Sequence, residues 1–211
     1  MRPDDWHLTE GVDRFLTRAG DFPRSRPGRY IMQLTWAERV RKRRADAFGA
    51  VAPLFGMLER GGEVQATFYR LPPRGFGLSP LTPEQAALAT RLAALGHSVP
   101  HVSADHRTAA AFAEAWRRHT GATPKPRDPQ LRLYRLGTLT LPEPMPAGRG
   151  RVLDERNLGQ VMFWWGEFAR VVGENVSNPT SNALYQRLGC RTLTDWTVYG
   201  FRRDALESPA A

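Results

Sequence analysis

Apolar residues recur at helical spacing in some stretches of the chain and alternate or cluster in others. Val12, Phe15, Leu16 and Ala19 share one face and predict a helix over 9–19, with Thr9 as its cap and Gly20 as its stop. A Pro- and Arg-rich loop over 21–29 and a short strand over 30–34 follow. Thr35-Trp36-Ala37-Glu38 is a capping box and predicts a helix to about residue 47. Two strand-like runs, 53–58 and 64–70, flank Gly61-Gly62 and predict a hairpin. Thr82-Pro83-Glu84-Gln85 opens another helix, with a stripe of Leu88, Leu92 and Leu95 ended by Gly96. A strand over 99–102 leads to Asp105, which caps a helix burying Ala109, Phe112, Ala113 and Trp116.

Residues 120–129 read as a Pro-containing loop and 131–141 as a long strand. The stretch 142–150 holds three Pro and two Gly and reads as a linker. Val152-Leu153 suggest a short strand, and Asp154 caps a helix to about Val172. Its apolar face is Leu158, Val161, Met162, Trp165, Phe168 and Val172. A loop over 173–178, a two-turn helix over 181–188 ended by Gly189, and a strand over 192–201 complete the pattern. Strands and helices mix throughout, so the fold class is mixed α/β, or α+β.

Composition narrows the function classes. The 211 residues suffice for one large or two small domains with a sizeable core. No apolar run reaches membrane-span length and the N-terminus has no leader-like apolar stretch, so the expected location is cytoplasmic. The lone Cys190 excludes an internal disulfide framework. A net charge of +9, carried almost entirely by Arg, attracts polyanions, and a GC-rich coding bias explains it equally well.

The stretch Asn178-Pro179-Thr180-Ser181-Asn182-Ala183-Leu184-Tyr185-Gln186-Arg187-Leu188-Gly189 resembles the C-terminal motif of GNAT-superfamily N-acetyltransferases, with Asn178, Tyr185 and Gly189 at the family spacing. More loosely, 53–59, 71–75 and 133–140 resemble actinobacterial members with a degenerate N-terminal half. The resemblance implies a GNAT-like fold in two halves: a degenerate half over 1–141, the linker over 142–150, and a shortened half over 151–205. It implies acetyl transfer from acetyl-CoA to an amine by direct attack on the thioester. Tyr185 would then be the acid that protonates the leaving thiolate. Asn178, Ser181 and Asn182 would contact the cofactor, and no metal would be needed. The acceptor amine is not specified.

The residues supply plainer readings beside these. Tyr185 can pack a helix face, Asn178 can stabilise a turn before Pro179, and Ser181 and Asn182 can serve the helix cap. Cys190 stands where the family usually has an aromatic residue and reads as a small packing residue.

The family's glycine-rich loop, whose backbone amides hold the CoA pyrophosphate at a helix start, has no counterpart between Val172 and Ser177. The simplest account is an internal deletion there. Arg74-Gly75-Phe76-Gly77 and Gly148-Arg149-Gly150 lack strand–loop–helix context and read as turns. A second expectation follows: a non-catalytic remnant that acts as a binding or interaction module.

Other candidates favour the plain reading. Arg39, Arg41, Lys42, Arg43 and Arg44 form a basic run without interleaved aromatics, which disfavours nucleic acid. His97, His101 and His106 lack a metal-ligand spacing. Glu167 and Glu174 have no claim beyond surface positions. The helix ending at Val172 would expose Trp164, Trp165 or Phe168 unless the first half or a second chain covers them, which makes a homodimer an expected partner arrangement.

Overall fold

The run Leu54-Phe55-Gly56-Met57-Leu58 lies at the centre of the fold, its alternate residues facing opposite sides of a sheet. A computed structural model of the chain describes residues 6–43, 51–72, 75–145, 147–150, 152–172 and 179–202. In order these form β1 (Trp6–Thr9), α1 (Val12–Ala19), α2 (Asp21–Arg24), α3 (Ile31–Arg43), β2 (Leu54–Arg60), β3 (Glu63–Arg70), β4 (Phe76–Leu78), α4 (Leu88–Ala94), β5 (His101–Asp105), α5 (His106–Thr120), β6 (Thr123–Leu136), α6 (Leu158–Val172), α7 (Pro179–Arg187) and β7 (Cys190–Arg202). The strand order is β1-β2-β3-β4-β5-β7-β6. The pairs β1–β2, β2–β3, β3–β4 and β5–β7 are antiparallel, and β4–β5 is parallel. The fold is mixed α/β with a mostly antiparallel sheet. Among the described residues no helix is long and apolar enough to cross a membrane.

The chain divides into two compact units, 1–127 with 196–211, and 128–195. The first unit has three layers. On one sheet face Leu54, Leu58, Phe68, Phe76 and Leu78 pack with Leu88, Leu92, Phe112 and Trp116 from α4 and α5. On the other, Phe55, Met57 and Tyr69 pack with Phe15, Trp36 and Val40 from α1 and α3. Each large side chain buried this way contributes roughly 1.5–3 kcal/mol. Gly56 in β2 lets the Phe68 ring lie flat against the backbone, since a Cβ there would overlap the ring. Gly61 and Gly62 have φ of 60° and 82°, as the expected tight hairpin turn requires.

Several sequence expectations need correction. Residues 6–9 are a strand pairing β2, and the first helix starts at Val12. Thr9 accepts a bond from Gly11 N–H at 3.1 Å, and Gly11 occupies the N-cap position. The expected loop over 21–29 begins with the short helix α2. The expected strand over 30–34 is instead the start of α3. Tyr30, Gln33, Trp36, Ala37 and Val40 form its buried face, and the polar Gln33 interrupted the apolar stripe that would have shown it. The strand expected at 99–102 starts at His101.

β6 begins at Thr123, inside the expected loop, and ends at Leu136, short of the expected 141. β6 stands last in the strand order, and Pro124 and Pro126, two positions apart, share one N–H direction, so both suit an edge strand whose outward side has no neighbour to bond. Val152 and Leu153 are not strand. The Asp105 cap of α5 forms as expected, with Thr108 N–H donating to Asp105 Oδ1 at 3.2 Å.

The second unit differs in kind from the first: none of its described side chains is buried. Its α6 has the anticipated start, where Asp154 Oδ1 accepts from Arg156 N–H at 3.0 Å and a 3-10 turn over Glu155–Asn157 leads in. Leu158, Met162, Trp164, Trp165 and Phe168 on that helix are all more than half exposed.

Candidate functional site

Two places can be tested against the expected chemistry: the motif helix α7, and the segment between β4 and α4. α7 starts at Pro179, whose missing N–H costs nothing in a first helical turn. The helix ends at Gly189 with φ 90°, where Gly189 O accepts from Gly137 N–H at 3.1 Å and Leu188 O from Thr140 N–H at 3.1 Å. A Cβ at Gly189 would overlap Thr138 O, so this closing turn requires glycine twice over.

Asn182 and Tyr185 come together around Tyr134 of β6. The Tyr134 hydroxyl donates to Asn182 Oδ1 at 2.6 Å, and the Tyr134 and Tyr185 rings lie 5.2 Å apart between centroids at 36°. Tyr185 is 47% exposed. Ser181 is half-buried and lies within α7, two residues past its start, so it is not the cap that the sequence allowed. Asn178 lies outside the described residues, as do Glu174 and the proposed deletion point. Cys190 opens β7 and is half-buried. Near this group Arg132 pairs with Asp195 through Nε–Oδ1 at 2.6 Å, which raises the guanidinium pKa.

The reading of Arg74-Gly75-Phe76-Gly77 as a turn is corrected: Phe76 and Gly77 lie in strand β4. Gly75 leads into strand β4, a connection follows over 79–84, and a 3-10 turn over Gln85–Ala87 opens α4. This is the strand–loop–helix arrangement in which an anion can sit against backbone amides. β4 and β5 pair at Phe76–Val102 and Gly77–Ser103.

Hydrogen bonds tie the connection after β4 to the rest of this unit. Leu81 N–H donates to Thr108 Oγ1 at 2.9 Å, and the Thr108 hydroxyl donates to Asp105 Oδ2 at 2.6 Å. Thr108 is fully buried, and the Leu81 side chain packs on the core. Ser79 N–H bonds Thr67 O at 2.9 Å, while Thr67 N–H donates to Ser79 Oγ at 2.9 Å. Gln33 of α3 completes this buried set by accepting from the Thr67 hydroxyl at 2.7 Å.

Over 79–87 the backbone amides of Ser79, Leu81, Thr82, Gln85, Ala86 and Ala87 each have a partner within the protein. Pro80 and Pro83 have no N–H. Thr82 N–H donates to Gln85 Oε1 at 2.8 Å and Gln85 N–H to Thr82 Oγ1 at 3.4 Å, the reciprocal box visible in the sequence. Ala86 and Ala87 donate to Thr82, Pro83 and Glu84 carbonyls. Glu84 is held by the Thr82 hydroxyl and its own backbone amide, which lower its carboxyl pKa. Glu84, on the surface, thus places a negative charge beside this turn.

The remaining candidates have structural partners. Gly75 N–H donates to His101 Nε2 at 2.8 Å, and His106 Nδ1 lies 3.2 Å from Thr197 Oγ1. Burial lowers the His97 pKa, and Arg70 lowers it further. Among the described residues no group of three potential metal ligands converges. In the basic run, Arg41 and Lys42 pair with Glu38, and Arg39 stacks over Trp36 at 5.0 Å. The Arg43 side chain and Arg44 lie outside the description. Glu167 is bonded by Arg170 Nη2 at 2.9 Å.

Two clefts of the first unit, of about 670 and 730 Å³, are lined respectively by Asp13, Arg24, Glu38 and Arg41, and by His97, Trp116, His119 and Phe201. Neither is lined by the 79–87 segment or by α7. Sequence reasoning missed the Gln33–Thr67–Ser79 and Leu81–Thr108–Asp105 sets, because only the Thr82–Gln85 and Asp105–Thr108 pairs are local. No family model, curated protein or solved structure matches this chain.

Proposed function

We propose that this chain is a non-catalytic, GNAT-like interaction module and does not use acetyl-CoA as a co-substrate. One observation carries the reading: the backbone amides of Ser79, Leu81, Thr82, Gln85, Ala86 and Ala87 are bonded within the protein, and Glu84 adds a negative charge there. A diphosphate would have to break several of these bonds and sit close to a carboxylate. Asn182 and Tyr185 hold Tyr134 in place, a role that needs no cofactor. The reading gives the first unit the role of a folded support and places binding on exposed surfaces.

Calorimetry of the full chain with acetyl-CoA and with CoA tests it. The expected outcome is no saturable heat at large cofactor excess. Saturable binding that weakens in Asn182→Ala or Tyr185→Phe would return the chain to the N-acetyltransferases.

A further inference from the structure

The second unit, 128–195, has no described buried side chain, yet it orders a 15-residue helix. A helix of that length is marginal in water without tertiary packing. At 100° per residue, Leu158, Met162, Trp164, Trp165 and Phe168 fall within an arc of about 160° on α6, while Phe163, also exposed, lies on the other side with Glu167 and Arg170. The apolar arc is wider than the ~100° of an ordinary surface helix.

We propose that this face is covered by the same face of a second copy of the chain, so that the two α6 helices share one core. The inference rests on the interaction-module reading and names its partner. Two observations select a second copy. The first is area. The five side chains, each more than half exposed, offer on the order of 100 Å² apiece, so two copies reach the ~1,000 Å² that a specific interface requires.

The second is charge. Residues 128–195 hold eight Arg against seven Asp and Glu, so the +9 surplus of the chain sits almost wholly in the first unit. Within the second unit Arg132 pairs with Asp195 and Arg170 with Glu167. A nearly neutral unit does not select a strongly charged partner and offers little local charge to repel its own copy. A self-complementary patch closes about a two-fold axis.

Sedimentation of the full chain between about 1 and 100 μM tests this. The expected species is twice the 23.7 kDa chain mass, falling to single mass in Trp165→Glu/Phe168→Glu. Hydrogen exchange of the unaltered chain supplies a readout that does not depend on the variant folding: amides over 158–172 should exchange at least tenfold more slowly at high than at low concentration. A single-mass species at every concentration overturns the proposal. So does an ill-defined larger aggregate, or protection that falls elsewhere. A dimer that binds acetyl-CoA would end the functional reading alone, and a monomer that does not bind it would end this inference alone.

Discussion

Thr108 shows how much one side chain carries in the first unit. Its hydroxyl accepts from Leu81 and donates to Asp105, joining the connection after β4 to the cap of α5. Thr108→Ala strands a buried N–H and removes one donor from Asp105, which should cost about 1–3 kcal/mol in urea unfolding. Thr108→Ser keeps the hydroxyl and should recover most of that loss. His97 gives a pH test. Its folded pKa lies below the 6.5 of a free imidazole, chiefly through burial, so the unfolded chain binds the extra proton more readily. Stability is therefore full above pH ~6.5 and falls as pH drops toward the folded value. In His97→Gln the melting temperature should vary less with pH across that acidic window.

At the scale of elements, the sequence was legible wherever a local rule decided the outcome. The Gly61-Gly62 turn, the Thr82–Gln85 box, the Asp105 cap and the Asp154 start each depend on residues a few positions apart. It was illegible where a distant partner decided. Gln33 is buried by a bond to Thr67, 34 residues away, so its helix looked like a strand. Phe76–Leu78 is too short to announce itself and becomes a strand through β3 and β5. In α7, the helix and the grouping of Asn182 with Tyr185 followed the motif, but Tyr134 as their common neighbour did not. β6 carries prolines because of its place in the sheet, and this can be checked. Pro126→Ala should change stability by no more than ~0.5 kcal/mol in guanidinium unfolding. Val198→Pro should cost at least ~2 kcal/mol, since β7 has a neighbour on each side and any lost N–H breaks a ladder bond.

For the whole molecule, the contrast between the two units sets the expected behaviour. The first unit buries its own aromatic core on both sheet faces, and its stability should not depend on protein concentration. The second leaves its large apolar side chains open, so any stability gained by self-association must follow mass action. Calorimetric melting at increasing concentration should therefore move a transition that reports on Trp164 and Trp165, while one reporting on the α4–α5 core stays fixed.

The pairing of β5 with β7 imposes an order in time. His106 and Thr197, which meet across that pairing, are 91 positions apart, and all of 128–195 must leave the ribosome between them. Until residues 196–202 emerge, β5 presents an open strand edge to the cell, and closing so long a loop is slow. The unit that holds β5 is thus completed only after 128–195 have been made, and the growing chain is most in need of a chaperone just before β7 appears.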